Sequence, residues 1–267
     1  MSDVMSAPRK PSGFGALANP TRFMALSAKI LPWLWGIASL LIGVGLLWAW
    51  NAPEDYQQGI TVRIMYVHVP SAWMAMFIYM VLAVSALGVL IWRHPLADVS
   101  IRAAVPLGAA FTLICLITGS LWGRPMWGTW WVWDARLTSV FVLFLMYLGI
   151  FALQRAMDDP VKAARPAAIL VLVGVINIPI IRFSVDWWNT LHQPASVIRF
   201  DGPTIHPTML WPLLICGIGF TVLFFAMHML GMRNIVRRRR VEGLRRAGTR
   251  DATAKPMRVI VEEGGTS

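Results

Sequence analysis

Six long apolar runs, separated by short polar segments, organise most of the chain. They span residues 29–50, 70–92, 103–123, 137–154, 166–183 and 208–231. Most contain the ~20 residues that a helix needs to cross a hydrocarbon core of ~30 Å; the fourth and fifth are shorter. The pattern predicts an all-α integral membrane protein with six transmembrane helices, in which Pro106, Pro179 and Pro212 are expected to kink their helices.

The segments that flank these runs differ in charge. Residues 1–28 are predicted to form a short N-terminal tail, with an interfacial turn near residues 23–26. Residues 232–267 form a basic C-terminal tail that contains RRRR at 237–240. Such a cluster beside a membrane helix favours contact with anionic lipid over contact with nucleic acid. The last stretch, 247–267, is predicted to be disordered.

The distribution of lysine and arginine predicts the orientation, because these residues concentrate on the cytoplasmic side of membrane proteins. If the N-terminus is cytoplasmic, the inner segments carry 19 of the 24 lysines and arginines. The outer loops then carry five, which are Arg63, Arg124, Arg136, Arg182 and Arg199. This bias predicts that both termini are cytoplasmic and that the membrane is a bacterial inner membrane, with the outer loops in the periplasm.

The composition and missing motifs exclude several classes of protein. The chain is 57% hydrophobic and 14% charged, whereas soluble domains carry about 25% charged residues. The two cysteines form neither CxxC nor CxxCH, which argues against thiol redox chemistry and covalent c-type haem. The middle of each apolar run lacks charged side chains, unlike ion-coupled transporters. Because GxxxxGK[ST] and hydrolase motifs are absent, we expect a non-enzymatic protein whose partner performs any ATP hydrolysis.

Aromatic and histidine residues concentrate in the three predicted outer loops, which span residues 51–73, 122–139 and 184–207. Eleven of the 14 tryptophans lie in these loops or at the outer helix ends. An ordinary aromatic belt populates both membrane interfaces, so the asymmetry indicates a binding surface. Its candidate residues include Trp122, Trp127, Trp130, Trp131, Trp133, Trp187 and Trp188.

The remaining polar residues of these loops match the chemistry of haem. Its ring suits tryptophan, its iron suits the imidazoles of His68 and His192, and its propionates suit Arg63 and Arg136. Asp134 could orient Arg136 or cap a helix that begins near residue 137. Spacing alone does not choose haem over a quinone or a lipid head group.

Three motifs narrow this choice through a family resemblance. WGTWWVWDARLTS at 127–139 resembles the WWD signature of haem-handling membrane proteins of cytochrome c maturation. MYVHVPSAW at 65–73 and WWNTLHQP at 187–194 resemble the histidine segments of that family. The pattern over residues 29–231 resembles the CcmC family of haem exporter proteins. The larger WWD relatives have many more helices, which favours the CcmC branch for a chain with six.

The resemblance implies a function and a set of partners. CcmC-like proteins bind haem at the periplasmic face and present it to the haem chaperone CcmE, beside the ATPase CcmA and the membrane subunits CcmB and CcmD. His68 and His192 match the two axial histidines of the family, and the tryptophan segment matches its haem platform. The bound group is then expected to be haem b, held transiently and without a covalent bond. A subunit that translocates haem or another solute, and a quinone- or lipid-binding module, remain alternatives.

Overall fold

The computed structural model describes residues 19–194, 196–199 and 201–254, and the elements of its membrane domain are helices joined by loops. The elements are α1 Pro20–Trp50, a 3-10 helix Ile60–Ile64, α2 Met65–Leu90, α3 Pro95–Trp127, α4 Ala135–Ala156, α5 Pro160–Gly174, α6 Asn177–Trp187 and α7 Pro207–Ala254. Six helical stretches are long and apolar enough to cross a membrane, with α5 and α6 together forming the fifth. The described residues contain no β-strand. The prediction of an all-α fold with six spans is therefore confirmed.

Several helices begin earlier than their apolar runs because a polar cap precedes a proline. Proline suits the first helical position, where its missing N–H would have no partner, and a polar side chain before it accepts a hydrogen bond from the first turn. The pairs are Asn19 with Pro20, His94 with Pro95, and Asp159 with Pro160. The predicted boundary between tail and membrane domain at residues 28 and 29 consequently falls inside α1. Residues 1–18 of the predicted tail lie outside the described residues.

The last helix continues far beyond its apolar run. It passes through the basic segment to Ala254, so the prediction of disorder is wrong for residues 247–254; residues 255–267 lie outside the described part. Arginine is a good helix former, and two arginines hold this helix to the bundle. Arg233 donates to the carbonyl of Met24 at 2.7 Å and to Ser27, and Arg239 pairs with Asp98.

The fifth span is broken near its middle. Residues 175 and 176 form a turn between α5 and α6. Pro179 lacks the N–H that would bond the carbonyl of Val175 in a continuous helix, and Ile178 N–H bonds that carbonyl instead at 3.0 Å. The side chain of Asn177 donates to the carbonyl of Ser139 at 2.9 Å. This hydrogen bond ties the start of α6 to α4. Helix α6 packs against α4 at the end of the bundle that holds the cavity described below.

The core lies between α2, α3, α4, α5 and α7, and two tyrosines mark its centre. Tyr79 and Tyr147 are fully buried, and their rings meet edge to face at 5.3 Å. Each hydroxyl finds a backbone acceptor, Tyr147 on the carbonyl of Ala75 at 2.8 Å and Tyr79 on that of Val171 at 3.2 Å. These bonds join α4 and α5 to α2. Helix α1 packs mainly against α7 at the periphery.

Candidate functional site

A cavity of about 480 Å³ opens where the three predicted outer segments, residues 51–73, 122–139 and 184–207, meet. This volume lies within the ~300–1,000 Å³ typical of ligand pockets. Its lining includes polar residues of the first and third segments, from Asp55 to Gln58 and at Gln193. Along α2 the lining runs from Met65 to Met76, about 16 Å of helix at 1.5 Å per residue. The cavity therefore extends from a polar mouth towards an apolar floor that contains Ala75 and Leu143.

Two imidazoles from separate segments lie next to each other in this cavity. His68 lies on the fourth residue of α2, and His192 lies in the loop between α6 and α7. Their ring centroids are 6.4 Å apart and their planes differ by 19°. Residues 124 positions apart in sequence thus form one pair. The third histidine of this end, His206, does not line the cavity, and its Nδ1 lies 2.8 Å from the Thr208 hydroxyl.

Helix α3 fixes both the orientation and the tautomer of His68. Its Nδ1 lies 3.1 Å from the carbonyl of Cys115 and 3.1 Å from the hydroxyl of Thr118. A carbonyl can only accept, so Nδ1 carries the proton and Nε2 keeps a lone pair for a metal. Thr118 donates its own proton to the carbonyl of Ile114 at 2.6 Å. A methyl group on Gly119 would lie 3.0 Å from His68 Cε1, so glycine allows this close approach.

Replacing Thr118 with valine is expected to lower haem affinity about tenfold, because groups that orient a metal-binding histidine typically contribute ten- to hundredfold to affinity. Only the Cys115 carbonyl would then hold the ring. Thr112→Val is the matched control, since the Thr112 hydroxyl donates to the carbonyl of Gly108 at 2.7 Å on the same helix and has no bond to His68. Haem titration of the purified variants measures the effect, and equal affinities for both would contradict it.

His192 is held less firmly than His68. Its ring nitrogens form no hydrogen bond with the described residues, and the Trp127 ring meets it edge-on at 5.4 Å. Burial lowers the pKa of His192 to about 4, the charges of Arg136 and His68 act in the same direction, and Asp134 opposes them. The imidazole is therefore neutral at neutral pH, which is the state that binds a metal. One imidazole is thus fixed on a helix, and the other lies on a loop.

The tryptophan segment divides between the cavity and the exterior. Trp122, Trp127 and Trp131 line the cavity, whereas Trp130 and Trp133 are 56% and 75% exposed. The division follows from the backbone. Gly128 ends α3 with a φ of 76°, the Thr129 hydroxyl lies 3.1 Å from the carbonyl oxygen of Trp131 to form a tight turn, and the next helix begins after residue 134.

The other predicted aromatic residues lie outside the cavity. Trp187 and Trp188 are about half exposed, and Trp187 stacks on Phe183 at 5.5 Å. Trp73 lines the cavity instead. It belongs to the predicted segment 51–73, but nothing in the sequence distinguished it from an interfacial tryptophan.

Asp134 and Arg136 hold the segment to its neighbours. Asp134 caps α4 by accepting from Leu137 N–H at 2.7 Å, which is the second of its two predicted roles; it forms no ion pair with Arg136 among the described residues. Arg136 lines the cavity. Its Nε donates to the Ser184 hydroxyl at 3.2 Å, and its Nη2 donates to two carbonyls of α6 at 3.3 Å.

Arg63 is placed away from this cluster. Its guanidinium lies over the Trp50 ring at 5.1 Å, its Nε is buried without a partner among the described residues, and it is absent from the cavity lining.

Three polar residues in or next to the cavity were missed from the sequence. Gln58 accepts the indole N–H of Trp122 at 3.0 Å, Thr118 contacts His68, and Arg182 lines the wall beside Arg136. Thr118 interrupts an apolar run on the same helix face as Cys115, which is a usable signal for a buried polar contact. Gln58 has no comparable signal. Arg182 was identified as an outer arginine, but the sequence could not predict that it lies on the face of α6 that lines the cavity.

Comparison with known proteins supports the resemblance. The family model of CcmC, Heme exporter protein C, matches residues 13–247. The chain belongs to the CcmC family. Among CcmC relatives, the Heme exporter protein C of Bradyrhizobium diazoefficiens is 61% identical, over 85% of this chain and 87% of the relative. That of Escherichia coli K12 is 47% identical, over 82% and 89%. A putative ccmC-like mitochondrial protein of cytochrome c biosynthesis from Marchantia polymorpha is 45% identical, over 82% and 94%.

Proposed function

We propose that this protein binds haem b without a covalent bond in the cavity and delivers it to a haem chaperone for cytochrome c maturation. The observation that carries the proposal is the separation of the two imidazole rings. Two imidazoles that share one metal ion from opposite sides have centroids about 6 to 6.5 Å apart, given metal–nitrogen bonds of ~2.0–2.1 Å. The rings of His68 and His192 are 6.4 Å apart. Imidazole is a common axial ligand of haem iron.

The remaining lining suits the periphery of haem. The vinyl and methyl groups of the macrocycle fit the apolar floor that contains Ala75, Val140 and Leu143. The propionates would be held where Arg136, which lines the cavity, supplies a cation. Trp122 and Trp127 meet the two imidazoles edge-on at 5.6 and 5.4 Å, so they restrict the rotation of both ligand rings. This chain orients haem and excludes water; no covalent step is assigned to it, and it acts as a delivery protein, not an enzyme.

The outer surface suits an acceptor protein. Trp130, Trp133, Trp187 and Trp188 are all more than half exposed at the same end of the bundle as the cavity. Aromatic side chains are enriched at protein interfaces. The acceptor is a CcmE-like chaperone, and CcmA-like, CcmB-like and CcmD-like subunits complete an ABC-type complex. The membrane is the bacterial inner membrane, with the cavity on the periplasmic side.

Haem transfer in detergent tests this function. We expect the purified protein to take up hemin with a Soret band, and to pass it without ATP to the soluble domain of the chaperone. Size-exclusion chromatography with absorption detection follows the haem between the two proteins. A protein that binds no hemin, with or without the acceptor, would indicate a quinone or lipid site. Haem that stays bound, but accumulates inside liposomes when the ATPase is present, would indicate a translocating subunit.

A further inference from the structure

We infer that Arg182 binds a carboxylate of the ligand in this cavity, and that it acts with Arg136 and not with Arg63. The inference rests on the proposed function, because the carboxylates would be the haem propionates. It assigns the second cation of the site to α6, whereas the sequence pattern had indicated the segment before α2.

Hydrogen bonds to α6 occupy two of the three guanidinium nitrogens of Arg136. Its Nε and Nη2 are committed to α6, through Ser184 and the carbonyls of Ile181 and Arg182. Its Nη1 forms no hydrogen bond with the described residues. A guanidinium can bind a carboxylate in the plane of its fork, so the α6 contacts orient this side chain and leave Nη1 for a ligand.

Arg182 places a second cation at the same wall. It lines the cavity, and its carbonyl accepts from Arg136 Nη2 at 3.3 Å, so the two residues are in direct contact. Its guanidinium lies 5.4 Å from the Phe183 ring and forms no hydrogen bond or ion pair with the described residues. Its donors are therefore unused within this part of the chain.

The charges around the pair favour an anion. The negative charges of Asp134 and Asp186 attract the charge of Arg136. Neither carboxylate forms an ion pair with Arg136 or Arg182 among the described residues. Asp134 already accepts from Leu137 N–H to cap α4. Two neighbouring guanidinium groups in a partly buried wall repel each other, and this repulsion is relieved when a carboxylate binds between them. Haem carries two carboxylates on one edge, which matches two cations.

Arg63 lacks these properties. It is absent from the lining, and its guanidinium lies over Trp50 at 5.1 Å. It holds the 3-10 helix Ile60–Ile64 against the end of α1. Replacing it should affect the fold near the first loop and not the discrimination of carboxylates.

Paired titrations with hemin and hemin dimethyl ester test the inference, because the ester lacks both carboxylates and keeps the iron and the ring. We expect Arg182→Gln to lower hemin affinity about ten- to hundredfold, as for the loss of a charged hydrogen bond, and to leave the affinity for the ester unchanged. The ratio of the two affinities is measured on one preparation, so partial misfolding affects both ligands and cancels. Arg63→Gln is the matched control and should leave the ratio at its wild-type value.

The outcomes separate the two proposals. If Arg182→Gln retains the wild-type ratio, or if Arg63→Gln lowers it as much, the assignment of Arg182 is overturned while haem binding stands. If the wild-type protein binds neither ligand, the proposed function itself fails. Arg182→Lys retains the charge but loses the planar fork, so it should recover only part of the preference for hemin.

Discussion

Replacing His68 with alanine is expected to lower haem affinity more than a hundredfold, whereas His192→Ala should lower it about tenfold. His68 is buried on α2 and its Nδ1 is held by Cys115 and Thr118, so its Nε2 is preorganised for iron. The His192 ring has no such bond among the described residues, so hydrogen bonding does not preorganise its nitrogens for iron. Hemin titration followed by the Soret band measures both affinities.

The two variants should also differ in spectrum. Haem in the His192→Ala protein keeps one protein ligand and should change from a low-spin to a high-spin form. Electron paramagnetic resonance of the ferric form distinguishes these states. His206→Ala is the matched control, because His206 is absent from the cavity lining and its loss should change neither affinity nor spin state. Retention of a low-spin, wild-type spectrum by His68→Ala would falsify the ligand assignment.

The second large effect concerns the packing that supports the cavity. Gly108→Ala is expected to destabilise the fold by about 1–3 kcal/mol, as for overpacked cores. The added methyl group would lie 2.0 Å from Tyr147 Cε1 and 2.2 Å from its Cζ. The tyrosine cannot easily withdraw, because its hydroxyl is bonded to the Ala75 carbonyl and its ring packs against Tyr79.

Gly149→Ala provides the matched control on α4. A methyl group there would meet nothing within 4 Å, and alanine is the better helix former by about 1 kcal/mol. Thermal unfolding in detergent, followed by intrinsic fluorescence, should therefore show a lower midpoint for Gly108→Ala and an unchanged or higher midpoint for Gly149→Ala. Equal midpoints would show that α3 and α4 can move apart at Tyr147, contrary to the packing described here.

The errors in the predicted helix bounds have local causes. Hydropathy counts apolar residues, so it cannot detect that Asn19 and Pro20 begin α1 before its apolar run. It also merges α5 and α6, because the turn at residues 175 and 176 is as apolar as the helices beside it. Here the missing N–H of Pro179 decided the break, and the prediction of a kink at that residue underestimated its effect.

Within the site, the residues that take part were easier to predict from the sequence than the positions of their side chains. The sequence identified His68, His192, Arg136 and the tryptophan segment as candidates, and the structure brings these elements to one cavity. The sequence could not determine which tryptophans face the cavity, since that depends on the left-handed conformation of Gly128 and on the helix cap at Asp134. Nor could it show that Arg63 turns towards Trp50 while Arg182 lines the wall, because both are simply arginines in outer segments.

The sequence by itself determined that this is an integral membrane protein, that it has six spans, and to which family it belongs. These properties depend on composition, on the length of the apolar runs and on contiguous motifs. Only the tertiary structure decided that imidazoles 124 residues apart lie next to each other, that α3 sets the tautomer of one of them, and that Arg182 of α6 lines the same cavity. Such features depend on how helices pack across long sequence separations, and the direction of a single side chain depends on contacts that no local pattern encodes.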